Sequence, residues 1–118
     1  MSTQALTRET FDAAVQAPGI TLVDWWAAWC GPCRSFAPIY EAASTAHPDV
    51  VFAKVDVEAE PELAARHGIS AIPTLMAFKD GRLVFAQPGA LPAPILERLI
   101  EAIERLDDDP AAAEEEKV

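Results

Sequence analysis

Cys30 and Cys33 are the two cysteines of the chain, set at C-x-x-C spacing inside "VDWWAAWCGPCRSFAP", residues 23–38. Such a pair supports one of three chemistries: a structural disulfide, half of a metal site, or a dithiol that reacts. At a strand-to-helix junction the pair has a specific reactivity. Cys30 falls at the helix N-terminus, where free N–H groups and the helix dipole favour a thiolate over a thiol. It is the expected nucleophile. Cys33, one turn further in, is close enough to close a disulfide with Cys30 and is expected to be more buried, which suits it to attack second. A metal site needs two more ligands. The two histidines, His47 and His67, lie at separate helix ends and neither has the spaced partner of a zinc motif.

Asp24 stands six residues before Cys30, in a run that otherwise reads Ile20, Leu22, Val23, Trp25 and Trp26. An ionised carboxylate is costly to bury unless it is paired. Two placements are open: a strand-end Asp facing water, or a buried acid. The apolar residues on either side favour the second. Burial raises the pKa of a carboxylic acid, which makes it a competent proton acceptor near neutral pH. It could then take the proton of Cys33. Lys54, in "FAKVDV", either lies near Asp24 and modulates its charge or simply reaches solvent. In "SAIPT" the Ile72–Pro73 bond opens a strand; it is either cis, which is uncommon for X-Pro bonds but a deliberate feature where it occurs, or an ordinary trans proline starting that strand.

The elements that must position these residues can be read from pattern. Residues 7–17 carry Phe11, Ala14 and Val15 at helical spacing behind a Thr cap, with Pro18 and Gly19 closing the segment. "ITLVDWWA" is β-branched and aromatic without alternation, the pattern of a central strand covered on both faces. Residues 30–47 form a helix with Pro32 in its first turn, a kink at Pro38 and Pro48 as its stop. "VVFAKVDV" is a second two-faced strand, and "EPELAARHG" a short helix. Two apolar runs separated by Lys79, Asp80, Gly81 and Arg82 make an antiparallel hairpin turning on Asp-Gly. Ile95, Leu96, Leu99, Ile100, Ile103 and Leu106 give one apolar stripe of a last helix, opened by Pro92 and Pro94 without a capping side chain. Alternating strands and helices imply parallel pairing, with antiparallel edges added by the hairpin.

Composition narrows the function classes. At 118 residues with 51% hydrophobic content the chain is long enough for one domain with a real core and too short for two, so one domain is expected. Half of its net charge of -10 comes from residues 107–118, "DDDPAAAEEEKV", a solvated acidic tail by composition. The acidic body argues against nucleic-acid binding, which needs a basic face. No run has signal-peptide or membrane-spanning length, so the chain is expected to be cytoplasmic and without membrane contact. Thiols are kept reduced there, which favours a catalytic or metal-binding pair over a staple.

Taken in order, "VDWWA", "WCGPC", "APIY", "AKVDV", "GISAIPT", "FKDG" and "GAL" resemble the thioredoxin family over residues 7–106. The resemblance implies an α/β thioredoxin fold: a central mixed β-sheet of four to five strands flanked by helices, the last two strands an antiparallel hairpin, in a domain spanning 1–106 ahead of the tail. It also implies that Cys30 attacks, Cys33 resolves, Asp24 is the buried acid, Lys54 its neighbour and Pro73 the cis-proline. Ile72 would offer backbone hydrogen bonds to an extended substrate, within a shallow groove formed by Trp29, Gly31, Pro32, Ala71, Gly89 and Ala90. Four features depart from the pattern. The first strand has only "STQAL" to form from, Trp25 replaces a commoner Phe, Pro88 before the groove glycine lacks an N–H, and the uncapped last helix carries its acidic tail.

The function implied is a thiol-disulfide oxidoreductase that reduces protein disulfides through a mixed disulfide. Its partners would be disulfide-containing client proteins and thioredoxin reductase, an NADPH-dependent flavoprotein; the chain, expected to be a monomer, would bind no cofactor itself. Two other readings use the same fold: a binding subunit whose groove matters while redox turnover is incidental, and, less compatible with Gly31-Pro32, a dedicated isomerase or oxidase.

Overall fold

The computed structural model describes residues 3–106, so the segment read as an acidic tail, 107–118, lies outside the described residues. In chain order the elements are β1 (Thr3–Ala5), α1 (Phe11–Gln16), β2 (Ile20–Trp26), α2 (Gly31–Ala46), β3 (Val51–Asp56), α3 (Pro61–Arg66), β4 (Thr74–Lys79), β5 (Arg82–Pro88) and α4 (Ala93–Glu104). The strands form one sheet in the order β1-β3-β2-β4-β5. Pairing is parallel within β1-β3-β2 and antiparallel in β2-β4-β5. Short as it is, the first strand forms: Thr3, Gln4 and Ala5 pair with Phe52, Ala53 and Lys54.

β2 lies at the centre of the sheet, and every residue from Ile20 to Trp25 is buried. Its alternate side chains feed two cores, as a strand covered on both faces requires. Leu22 packs with Phe36 and Tyr40 of α2 and with Leu96 and Ile100 of α4. Val23 and Trp25 pack with Phe11 and Val15 of α1 and Leu63 of α3. The unpatterned apolar run of β2 is thus the signature of its central place.

The hairpin is the one the sequence predicts. Asp80 (φ 51°) and Gly81 (φ 86°) both adopt the left-handed conformation that a tight two-residue turn requires. The turn is tied to the start of β2: the Gly19 N–H donates to Asp80 Oδ1 at 2.7 Å, and the Asp80 N–H to Gly19 O at 2.9 Å.

Two helices differ from their sequence patterns. α1 begins at Phe11 rather than near Thr7, because the Thr7 N–H donates to Thr10 Oγ1 while Thr7 O accepts from Thr10 and Phe11, which closes a turn ahead of the helix. In α4, Leu96, Ile100 and Ile103 are buried, whereas Ile95 and Leu106 at the margins of the stripe are exposed.

The end of α4 has a partner invisible in sequence. Lys79, at the end of β4, donates from Nζ to the carbonyls of Ile103 (2.9 Å) and Leu106 (2.8 Å), with Glu104 O at 3.4 Å. A cation there satisfies orphan carbonyls and meets the negative end of the helix dipole. Lys79→Met, which keeps the aliphatic stem, is expected to lower stability by about 1–2 kcal/mol. Denaturant unfolding measures this; an unchanged midpoint would mean that water replaces the lysine at no cost.

Candidate active site

β2 delivers the chain to a short loop, held where the Cys30 N–H donates to Ala27 O (3.2 Å) and Arg34 Nη1 to Ala28 O (3.0 Å). α2 then begins with Cys30 as its N-cap and Pro32 in the first turn, where a missing N–H leaves no bond unmade. Pro38 lies inside α2, which continues through it to Ala46. Cys30 and Cys33 are joined in a disulfide with their Cα atoms 5.2 Å apart. Cys30 Sγ accepts from the Cys33 N–H at 3.2 Å, so this sulfur takes up one of the free donors of the helix N-terminus.

The expected contrast in burial between the cysteines is absent in this oxidised form: Cys30 is 4% exposed and Cys33 3%. Trp26, Val57 and Ile72 pack against the cluster that the pair forms with Ala27. Ile72 O lies 3.8 Å from Cys30 Sγ, and the Ile72–Pro73 peptide bond is cis. The Thr74 hydroxyl bonds back to Ala71 O and closes the turn across Ile72 and Pro73.

Beside the disulfide, Trp29, Val57, Ile69, Ser70, Ala71 and Ile72 enclose a hollow of about 200 Å³. Trp29 is 65% exposed, with its indole N–H bonded to Glu58 Oε2 at 3.0 Å. Of the residues read as a groove, Trp29, Ala71 and Ile72 line this hollow, while Gly31 and Pro32 stand in the first turn of α2. Gly89 and Ala90 follow β5. Gly89 has φ +108°, which disfavours any side chain, and its N–H donates to Pro73 O at 2.7 Å, so that loop is tied directly to the cis-proline.

Asp24 is buried in the middle of β2, 1% exposed, and neither carboxylate oxygen has a hydrogen-bond partner among the described residues. Burial pushes its pKa up to about 7, against a smaller downward pull from the Lys54 charge. The acid faces α2: the Tyr40 hydroxyl, which donates to Ala53 O at 2.8 Å, is raised well above its ordinary value by burial first and then by Asp24. Lys54 is directly opposite Asp24 in the β2-β3 register, and its Nζ stands over the Trp26 ring, 4.8 Å from the centroid.

Sequence pattern missed Trp26, which touches both the cysteine cluster and Lys54, and Glu58, which holds Trp29. Trp26 follows Asp24 by two positions on one strand and therefore shares its face, a signal that gains meaning only once the register with Lys54 is known.

The fold and the cysteine pair have close counterparts. The family model for thioredoxin matches residues 2–102. The chain belongs to the thioredoxin family. It is 54% identical over 108 residues to a thioredoxin-type protein of Streptomyces coelicolor, covering 92% of this chain and 81% of that one. With the thioredoxin of Alicyclobacillus acidocaldarius it shares 46% identity over 97 residues, covering 81% and 92%. A solved structure of a mutant thioredoxin from Halobacterium salinarum superposes with a TM-score of 0.82 at 30% identity, covering 90% of this chain and 94% of that one. As a thioredoxin-family member, the chain is a thiol-disulfide oxidoreductase whose redox group is its own cysteine pair and whose substrates contain disulfides. Among the described residues no group of three or more His, Cys, Asp and Glu side chains is placed to hold a metal, and no helix is long and apolar enough to cross a membrane.

Proposed function

We propose that the protein works in the cytoplasm as a general reductant of protein disulfides, re-reduced by an NADPH-dependent flavoprotein, thioredoxin reductase. The observation that carries this reading is Cys30 Sγ as the N-cap of α2, bonded to the Cys33 N–H and joined to Cys33. Once the disulfide is opened, that N–H and the helix dipole favour negative charge on Cys30.

The thiolate attacks one sulfur of the client disulfide. A Cys30–client bond forms, the client S–S bond breaks, and its second sulfur leaves as a thiolate that takes a proton from water. Asp24, a carboxylate above pH about 7, accepts the Cys33 proton. The Cys33 thiolate then attacks Cys30 Sγ, releasing the client's remaining sulfur and restoring Cys30–Cys33. The client gains two electrons and the cysteine pair loses two. Lys54 tempers the charge on Asp24. Trp29, Ala71 and Ile72 take the apolar flanks of the client, with the Ile72 backbone as a hydrogen-bonding edge and Pro73 shaping the loop. Gly31, Pro32, Gly89 and Ala90 keep the rim low, so that a polypeptide can approach the sulfur.

NADPH consumption in the presence of a thioredoxin reductase and a disulfide-bonded protein tests the whole cycle. Sustained turnover by the wild type that is lost in Cys30→Ser is the expected result. Absence of turnover from an intact dithiol would remove this electron source from the proposal.

A further inference from the structure

Lys54 has two partners within reach on one face of the sheet. Asp24 and Trp26, two positions apart on β2, point to the same side, and Lys54 pairs directly with Asp24 across the β2-β3 ladder. The ammonium stands over the indole, 4.8 Å from the ring centroid and inside the usual cation–π range of about 6 Å. Both oxygens of Asp24 are left without a hydrogen-bond partner among the described residues.

The other groups nearby do not account for that choice. Asp56, opposite Trp26 in β3, accepts on Oδ1 from the Glu58 N–H at 2.9 Å and, more distantly, from the Ala59 N–H. From α2 the Tyr40 hydroxyl faces Asp24 but donates to Ala53 O, and β4 places Leu75 opposite the acid. What distinguishes the ammonium's position is the indole, which also packs against the cluster of Ala27, Cys30 and Cys33.

We propose that Trp26 is a positioning residue for the proton-transfer step: its indole face holds the Lys54 ammonium beside Asp24 and keeps it from closing onto the carboxylate. This rests on Asp24 being the proton acceptor. A lysine closed onto the carboxylate would stabilise its charge and make it a weaker base for Cys33, whereas a lysine held on the ring adds only a moderate field to a site governed by burial.

The test is a titration of the Asp24 carboxyl by carbon NMR in the oxidised, full-length protein, comparing wild type, Trp26→Leu, Lys54→Met and the double variant. Trp26→Leu is expected to lower the Asp24 midpoint by about one pH unit as the freed ammonium swings onto the acid. In the Lys54→Met background the same substitution should leave the midpoint nearly unmoved. A fall of equal size in both backgrounds would mean that the smaller side chain merely admits water, and it overturns the proposal. So does an unmoved midpoint, or a rise from a lysine that escapes to solvent. Trp26→Phe keeps a weaker π face and should shift the midpoint less in the same direction; should Trp26→Leu fail to fold, the same cycle built on Trp26→Phe decides the matter. Single-turnover rates of the resolving step separate the two claims. If the NMR midpoint moves as expected while the kinetic midpoint stays, the placement of Lys54 by Trp26 stands and the assignment of Asp24 as acceptor falls.

Discussion

Cys33→Ser is expected to turn the protein into a trap: mixed with a disulfide-bonded protein, the pre-reduced variant accumulates a covalent complex through Cys30 that persists until a reductant is added. Cys30→Ser forms no such complex. The asymmetry follows from position. Cys30 caps α2, and its sulfur accepts from the helix's own N–H, which stabilises it as a thiolate. It also lies 3.8 Å from Ile72 O, beside the hollow that Trp29 and Ala71 line and that we propose receives the client chain. Cys33 sits inside the first turn, one step from Cys30 and able to reach it. Either substitution removes the capacity to close the disulfide, so NADPH-coupled turnover should fall by at least about a thousandfold. Non-reducing gels with mass spectrometry check the trapping. Equal trapping by both variants would contradict the assigned order of attack.

Asp24→Asn is expected to make the protein more stable and a slower catalyst, with both effects dependent on pH. In the unfolded chain the acid titrates near 3.8, whereas in the folded protein it titrates at about 7. Between those values the native state holds a proton that the unfolded state has released. The protonated acid's contribution to stability is therefore fully present below pH about 4 and is lost as pH rises through about 7. The gap of about three units corresponds to a loss on the order of 4 kcal/mol. Asn is nearly isosteric and does not titrate, so its advantage over Asp should grow by that order from below pH 4 to above pH 7. Urea unfolding across this range reads the difference, and a gap independent of pH would show that Asp24 is not titrating in the buried state. In single-turnover kinetics the wild-type resolving step should accelerate as pH rises through about 7, because only the carboxylate can accept a proton. Asp24→Asn should lack that rise and slow release of the client more than the first attack. The opposite order would remove Asp24 as the proton acceptor.

These two effects share one residue pattern: a reactive pair at a helix start and an acid with no business in an apolar strand. Both were legible because each breaks a local rule. The C-x-x-C stands out in a chain with no other cysteine, and Asp24 stands out in β2, where every neighbour from Ile20 to Trp25 is buried. The Asp-Gly hairpin was equally clear, since its left-handed turn positions are an intrinsic property of those residue types. Where local rules were weaker, pattern went astray. Residues 7–17 carry a helical pattern, yet α1 starts only at Phe11 because Thr7 and Thr10 bond to each other and to the backbone ahead of the helix.

By itself, then, the sequence determined the element order from α1 onward, the two-faced central strand, a cysteine pair at a helix start and the candidate buried acid, all of which follow from side-chain type and short-range spacing. β1, by contrast, forms only through its pairing with β3. Only the tertiary structure decided that Lys79 caps α4, that Glu58 holds Trp29, that Gly89 is tied to Pro73, that both cysteines are equally covered in the oxidised state, and that Lys54 lies on Trp26 rather than on Asp24. Each depends on the register between strands or on a contact between residues far apart in the chain. A one-residue slip of register turns a side chain to the opposite face of the sheet, so no local pattern encodes such contacts.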